Sequence, residues 1–208
     1  MINNPCIEFI RSILERRPQL SQSVNANGDL PLHVHIRNDK CDMSIIRMLV
    51  ESYRDGLSIV DHGNEMPADL AVEYDRVDAL EYLLEQYPLA ANHMCGLHKA
   101  ATSSVEVTQL ICEKYPESLR IPDDRGLLAL HHACMFGSYR QVELIWSSYP
   151  EGISVQDRNG NLPIHSLLSY RWMEIDIDKL RFLVRHYPAG VSVPNGTVDT
   201  AYSNLCSK

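Results

Sequence analysis

Histidine is the residue type here whose spacing invites a chemical reading. His33 and His35 stand two apart in "NGDLPLHVH" (27–35), and His131, His132 and Cys134 are crowded into "ALHHAC" (129–134). Imidazoles near neutral pH act as general bases or metal ligands. Residues two apart do not share a helix face, so His33 and His35 do not converge. A structural zinc site takes about four converging ligands, and neither segment supplies them. His131, His132 and Cys134 stand as a subsidiary metal or small-molecule reading. No GxSxG, HExxH, Walker A or GxGxxG pattern occurs in the chain. Glu81, Glu85, Glu113 and Glu143 scatter along helical faces as a solvated surface would, not as an acid–base pair. The expectation is therefore a chain with no catalytic residues, no metal and no cofactor.

The phrase around His33 recurs. "RNGNLPIHSL" spans 158–167, "RGLLALHHA" starts at Arg125, "CGLHKA" spans 95–100, and "GNEMPADLA" (63–71) is a looser copy. The aligned positions are His33, Asp69, His98, His131 and His165, separated by 36, 29, 33 and 34 residues. A repeat of this length marks a stacked array.

A second phrase keeps the same beat. "EYLLEQYP" ends at Pro88, "QLICEKYP" at Pro116, "ELIWSSYP" at Pro150 and "RFLVRHYP" at Pro188. Proline drives the residue before it out of the helical region, so each Tyr-Pro closes a helix. The apolar residues ahead of it have helical spacing, as with Val77, Leu80, Leu83 and Leu84. Each unit reads as a turn, a short helix from the proline, a loop, a longer helix, Tyr-Pro and an extended stretch.

Laid out this way, the unit resembles the ankyrin repeat, whose hallmark is a finger turn followed by T-P-L-H. The best copies are "DRNGNLPIHSL" (157–167) and "DDRGLLALHHA" (123–133). The resemblance implies an all-α ankyrin-repeat solenoid of helix-turn-helix units with finger loops. It places about five repeats at 25–60, 61–89, 90–122, 123–156 and 157–193, with partial units at 1–24 and 194–208. It also implies that His33, His131 and His165 brace the fingers by hydrogen bonds. Two departures are systematic. Leu30, Met66, Leu128 and Leu162 replace the threonine that would cap the first helix, a loss of about 1 kcal/mol each unless another contact compensates. Tyr87, Tyr115, Tyr149 and Tyr187 replace the helix-closing glycine. The unit at 90–122 also lacks five finger residues relative to its neighbours.

What such an array does is bind, through equivalent surface positions in each repeat. The resemblance puts those positions at the finger tips and the exposed side of the first helix, together a concave face. At the fingers they are Asp29; His62 and Glu65; Asp124 and Arg125; Arg158, Asn159 and Asn161. On the first helices they are Arg37 and Asn38; Glu73 and Tyr74; Met135 and Phe136; and Tyr170, with Trp172 following in a loop insertion. Tyr74, Met135, Phe136 and Tyr170 form an apolar and aromatic stripe, the composition of interface hot spots. Packing of Phe136 and Tyr170 against the next repeat is the competing reading, and Trp146 is assigned to the core.

Composition sets limits on partners. The net charge of -8 opposes a nucleic-acid footprint and an anionic membrane surface. No apolar run is long enough to span a bilayer. The six cysteines show no CxxC and no regular pairing, which suits a reduced, intracellular setting, cytoplasmic or nuclear. The first helix, with Ile7, Phe9, Ile10, Ile13 and Leu14, is apolar over more than one face. That implies either self-association through this helix or a longer array. The expected role is a non-enzymatic scaffold or adaptor that binds a protein partner. The alternative is an array that stacks through its apolar ends.

Overall fold

A computed structural model describes residues 5–92, 98, 100–169 and 175–196. The described residues form ten α-helices and no β-strand. They are α1 (Pro5–Arg16), α2 (Pro31–Arg37), α3 (Met43–Ser52), α4 (Pro67–Glu73), α5 (Val77–Gln86), α6 (Val105–Lys114), α7 (Ala129–Phe136), α8 (Tyr139–Ser148), α9 (Pro163–Leu168) and α10 (Ile177–His186). The chain divides into two compact units, 1–96 and 97–208. The boundary falls inside the repeat that the sequence marks as short of finger residues. Within the first unit α2 packs on α3 and α4, and α4 on α5; within the second, α7 packs on α8 and α9, and α6 on α8.

The first helices start where the proline sets φ and needs no N–H partner. No side chain caps these helices in the threonine's place; the histidine instead satisfies the N–H of the N-cap residue itself. Leu30 N–H donates to His33 Nδ1 at 3.1 Å, Leu128 N–H to His131 Nδ1 at 3.0 Å and Leu162 N–H to His165 Nδ1 at 3.0 Å. In the α4 copy the Asp69 carboxylate accepts from Met66 N–H at 2.8 Å. The imidazole thus serves the N-cap backbone N–H, as the third helical residue does in a capping box, and its other nitrogen reaches onward. His33 Nε2 donates to Ile59 O, His131 Nε2 to Asn161 O and His165 Nε2 to Val193 O, at 3.2, 3.1 and 3.0 Å. All three rings are buried, and burial holds their pKa values below the ordinary histidine value, in His131 at about 4.

The leucine that displaced the threonine is itself core. Leu30, Leu128 and Leu162 are buried and touch the turn that follows the second helix of the same repeat. That turn corrects one expectation. After Tyr-Pro the chain does not go straight into an extended stretch. It makes a 3-10 turn, at Arg54–Ser58, Pro88–Asn92, Pro116–Arg120, Pro150–Ser154 and Pro188–Val191. The tyrosine leaves the helix with φ near -142° and ψ near 75° (Tyr187, -142° and 73°), and proline then begins a new turn, as it does any helix. The second residue after that proline is small. A Cβ on Gly152 would lie 3.0 Å from the Tyr149 ring and 3.7 Å from Leu128 Cδ1; on Gly190 it would lie 2.7 Å from the Tyr187 ring. Ala90 and Ser118 fill the same slot and are buried. Tyrosine, glycine and the N-cap leucine are therefore one packing unit, which explains why both departures from the family pattern occur together.

The second helices carry ordinary caps, from Asp42, Ser104, Ser138 and Asp176. Several also send a polar side chain back to the carbonyls that end the first helix of the preceding repeat. Arg76 Nη2 donates to Asn38 O at 2.9 Å, Gln141 Nε2 to Ser103 O at 2.9 Å and Lys179 Nζ to Gly137 O at 2.5 Å. Buried Gln141 and Lys179 thus satisfy carbonyls that helix ends leave without partners. The cysteines expected inside are inside, with Cys112 and Cys134 buried. Burial raises the Cys134 thiol to about 12, so it packs as a small hydrophobe. Trp146, assigned to the core, is half-buried. It meets Phe182 edge-on at 5.2 Å and His186 at 4.1 Å, on the outer side of α8 and α10.

Candidate functional site

Each finger is built by one carboxylate or amide that accepts two backbone N–H groups. Asp61 Oδ1 accepts from Gly63 and Glu65, Asp123 Oδ1 from Arg125 and Leu127, and Asp157 Oδ1 from Asn159 and Asn161, all within 3.0 Å. Asn25 serves the first finger in the same way. The turn then requires positive φ. Gly126 has φ 80°, and a side chain there would also strike Arg158 N at 2.8 Å. Asn64 takes the same slot at φ 60°, as asparagine tolerates. Neighbouring fingers are stitched by backbone bonds, His62 N–H to Asn27 O and Arg158 N–H to Arg125 O, both 3.0 Å.

The residues nominated from the sequence fall into three groups. His62, Asp124, Arg125, Arg158 and Asn159 are exposed at finger tips, as expected. Asn38, Glu73, Tyr74 and Phe136 are exposed on the first helices, Tyr74 at 37% and Phe136 at 49%. Met135 and Asn161 are half-buried. Tyr170 and Trp172 lie outside the described residues.

Asp29, Arg37 and Glu65 require a correction, since the expectation of open, exposed positions does not hold for them. Asp29 is buried at 5% exposure, and Arg37 and Glu65 are half-buried. The Arg37 guanidinium pairs with Asp29 and with Asp61, and lies 3.4 Å from Glu65. One planar cation with five donors spans carboxylates from two fingers. Burial alone would disfavour these charges. Hydrogen bonds and the neighbouring opposite charge outweigh it, holding Asp29 and Asp61 below the usual carboxylate range and raising Arg37. The resemblance that nominated Arg37 as an exposed first-helix position carries no sign that acidic side chains from two fingers converge on it.

In the second unit the equivalent position holds Met135, and the surroundings are open. Arg125, Leu127, Met135, Asn159, Asn161 and Ser169 line a cleft of about 290 Å3 between two fingers and their helices. Four of these, Arg125, Met135, Asn159 and Asn161, are sequence-nominated residues that the fold brings to one place. Phe136 follows Met135 on the same helix. Polar groups at the fingers and a thioether at the floor suit a side chain with an apolar body and a polar end.

The trio His131, His132 and Cys134 is not a cluster. His131 spends both ring nitrogens on its brace, and Cys134 is fully buried. His35 likewise serves the fold, accepting from Asp42 N–H at 2.9 Å. A different set meets instead. His132 Nε2 lies 3.1 Å from Asp123 Oδ2, and His98 stands beside them. Hydrogen bonds from Leu127, Arg125 and His132 outweigh burial and keep Asp123 below the usual carboxylate range. Sequence reasoning missed this set because His98 and Asp123 belong to different repeats.

No protein-family model matches the chain, and no curated protein matches it. Among solved structures, the ankyrin repeat domain of Bcl-3, described as a unique member of the IkappaB protein family, aligns with a TM-score of 0.77 at 22% identity. That alignment covers 97% of this chain and 89% of the other. The complex of the Bd0816 predatory endopeptidase from Bdellovibrio bacteriovorus with immunity protein Bd3460 contributes a chain aligning with a TM-score of 0.48 at 14% identity, over 97% and 90% of the two chains. The assignment rests on the first of these and on the repeat geometry: this chain has the ankyrin-repeat fold.

Proposed function

We propose that the protein is a non-enzymatic interaction module that binds a protein partner through its fingers and first helices, with the principal contact in the second unit. The observation that carries this reading is the cleft beside Met135. Nominated residues from two fingers converge there, and Phe136, the next residue on the helix that carries Met135, is 49% exposed. A polar-rimmed cleft and an exposed aromatic on one helix are the components of an interface anchor. Tyr74, exposed on a first helix of the first unit, is proposed as a contact of its own, and Tyr170 and Trp172 belong to the same proposal. Among the described residues no helix is long and apolar enough to cross a membrane.

The test compares wild type with the Phe136→Ala/Arg125→Ala variant. Both side chains are exposed, so the helical signal should not change. Each protein is used to capture partners, and the capture is quantified by mass spectrometry. A protein retained by wild type and reduced more than about tenfold by the variant supports the site. Equal retention overturns it.

A second reading, association through the N-terminal end, has its own observation. No residue of α1 is buried, Phe9 is 67% exposed and Val34 is 47% exposed. The equivalents of Val34 in later repeats, Leu70 and Ser166, are buried. A cavity of about 430 Å3 lined by Ile10, Val24, Pro31 and Val34 opens there. Light scattering across a concentration series of wild type and Phe9→Glu decides it. Mass growth abolished by Phe9→Glu supports association, and a constant monomer mass refutes it.

A further inference from the structure

His98, Asp123 and His132 each bring one ligand-type atom within 4.8 Å of the others. The two imidazole centroids are 4.9 Å apart, with their planes tilted by 45°. Asp123 spends Oδ1 on the finger, accepting from Arg125 and Leu127 N–H, and this fixes the direction of Oδ2 toward His132. His132 is not required by the repeat. The equivalent residues are Val34, Leu70 and Ser166, and the bracing is done by its neighbour His131. A histidine has been placed where an apolar or small residue satisfies the fold, facing a carboxylate and a second histidine.

We propose that His98, Asp123 and His132 form a site for a divalent transition metal, with zinc the ion the donors suit best. Two imidazoles and one carboxylate are a borderline donor set, accepted by zinc in tetrahedral sites that leave a fourth position for water or an external ligand. Calcium and magnesium favour all-oxygen shells. Zinc bonds of about 2.0–2.2 Å place neighbouring ligand atoms roughly 3.3 Å apart. The Asp123–His132 pair is already at 3.1 Å, and His98 brings a ligand atom within 4.8 Å of both. His98 is buried, while Asp123 and His132 are half-buried, so the ion would be shielded on one side and reachable from the other. Arg125, 3.8 Å from Asp123 Oδ2 and mostly exposed, swings clear without losing a buried contact. The bound ion ties the helix that carries His98 to the finger whose tip carries Asp124 and Arg125. Occupancy therefore stiffens the finger that rims the cleft.

The experiment uses the full chain stripped of metal by a chelator. It is titrated with zinc by calorimetry and with cobalt(II) under visible absorption, which reports tetrahedral coordination. Expected are one ion per chain, tetrahedral cobalt bands, a higher Tm with zinc, and at least about tenfold weaker binding by His132→Ser and Asp123→Asn. Serine occurs at the equivalent position 166, and asparagine retains the finger's acceptor, so both variants fold. His186→Gln, an exposed histidine elsewhere, binds as wild type does. No binding by wild type, equal binding by wild type and His132→Ser, or loss of binding in His186→Gln overturns the site.

Discussion

In the unit spanning 1–96, the seventh residue after the N-cap leucine is Arg37, and its guanidinium bridges Asp29, Asp61 and Glu65. In the unit spanning 97–208, the seventh residue after Leu128 is Met135, and the residues matching Asp29, Asp61 and Glu65 are Leu127, Asp157 and Asn161, so that one carboxylate of three remains. The backbone at both places is nearly the same: an Asx-type finger, a left-handed residue, a bonded neighbouring finger. The side chains make one position a clamp and the other a cleft. Equivalent positions in a repeat therefore share geometry but not availability. An exposed slot becomes a binding surface only where its neighbours leave it unsatisfied.

The largest effect that bears on this comparison concerns the brace that both units use, at His131 in the second. His131→Ala leaves the buried Leu128 N–H without a partner and takes from Asn161 O one of its two donors, the other being Asp157 N–H, besides opening a cavity. The expected loss is about 3–4 kcal/mol in chemical denaturation, and a loss under about 1 kcal/mol would show that the brace is dispensable.

Acid sharpens the contrast between the units. A buried histidine whose folded pKa lies below its unfolded value binds fewer protons when folded. Its stabilisation is complete above about pH 6.5 and is lost as pH falls through the folded value. For His131, with a folded pKa of about 4, the loss between pH 7 and pH 4 is about 3 kcal/mol. His132 and His165 in the same unit are shifted in the same direction, as is His33 in the first unit, so three of these histidines belong to the second unit and one to the first. The clamp's carboxylates, Asp29 and Asp61, are depressed, so their contribution is lost only below about pH 4. Hydrogen exchange at pH 5 should therefore show the second unit opening before the first. The opposite order would break the comparison.

Exchanging the two residues tests it directly. Arg37→Met leaves Asp29, Asp61 and Glu65 facing one another and should cost about 2–3 kcal/mol. Met135→Arg meets one carboxylate, Asp157, in place of three, and should change stability by less than about 1 kcal/mol, while obstructing the cleft and weakening partner capture. Equal destabilisation by both would mean that the ion cluster contributes little.

The smallest expected effect concerns the packing both units share. Gly152→Ala forces a methyl against the Tyr149 ring and should cost about 1 kcal/mol. Leu128→Ala in the same background should relieve little of it, since the ring rather than the leucine is the near contact. Full relief would reassign the constraint.

Much of the fold is legible in the residues. The recurring "LPLH" and Tyr-Pro phrases locate the first helices, the second helices and their ends because proline and helical apolar spacing act locally. The left-handed finger residues are equally legible, since only glycine or asparagine sits at positions 28, 64, 126 and 160. The 3-10 turn after Tyr-Pro was hidden because proline at its first position looks the same whether the chain then coils or extends. The small residue two places later was the available signal. Arg76, Gln141 and Lys179 gave no local sign of their role, because the carbonyls they meet lie 38 to 42 residues away.

The sequence by itself determined the repeat, its period, the helix boundaries and the bracing histidines, since each depends on residues within one unit or on a pattern repeated between units. Tertiary structure alone decided which of the nominated surface residues are available. It sealed Arg37 between three carboxylates, left Met135 at the floor of a cleft and brought His98 to Asp123 and His132. Those outcomes depend on side chains from neighbouring repeats arriving at one point, and charge pairing and burial are properties of that meeting rather than of any single segment.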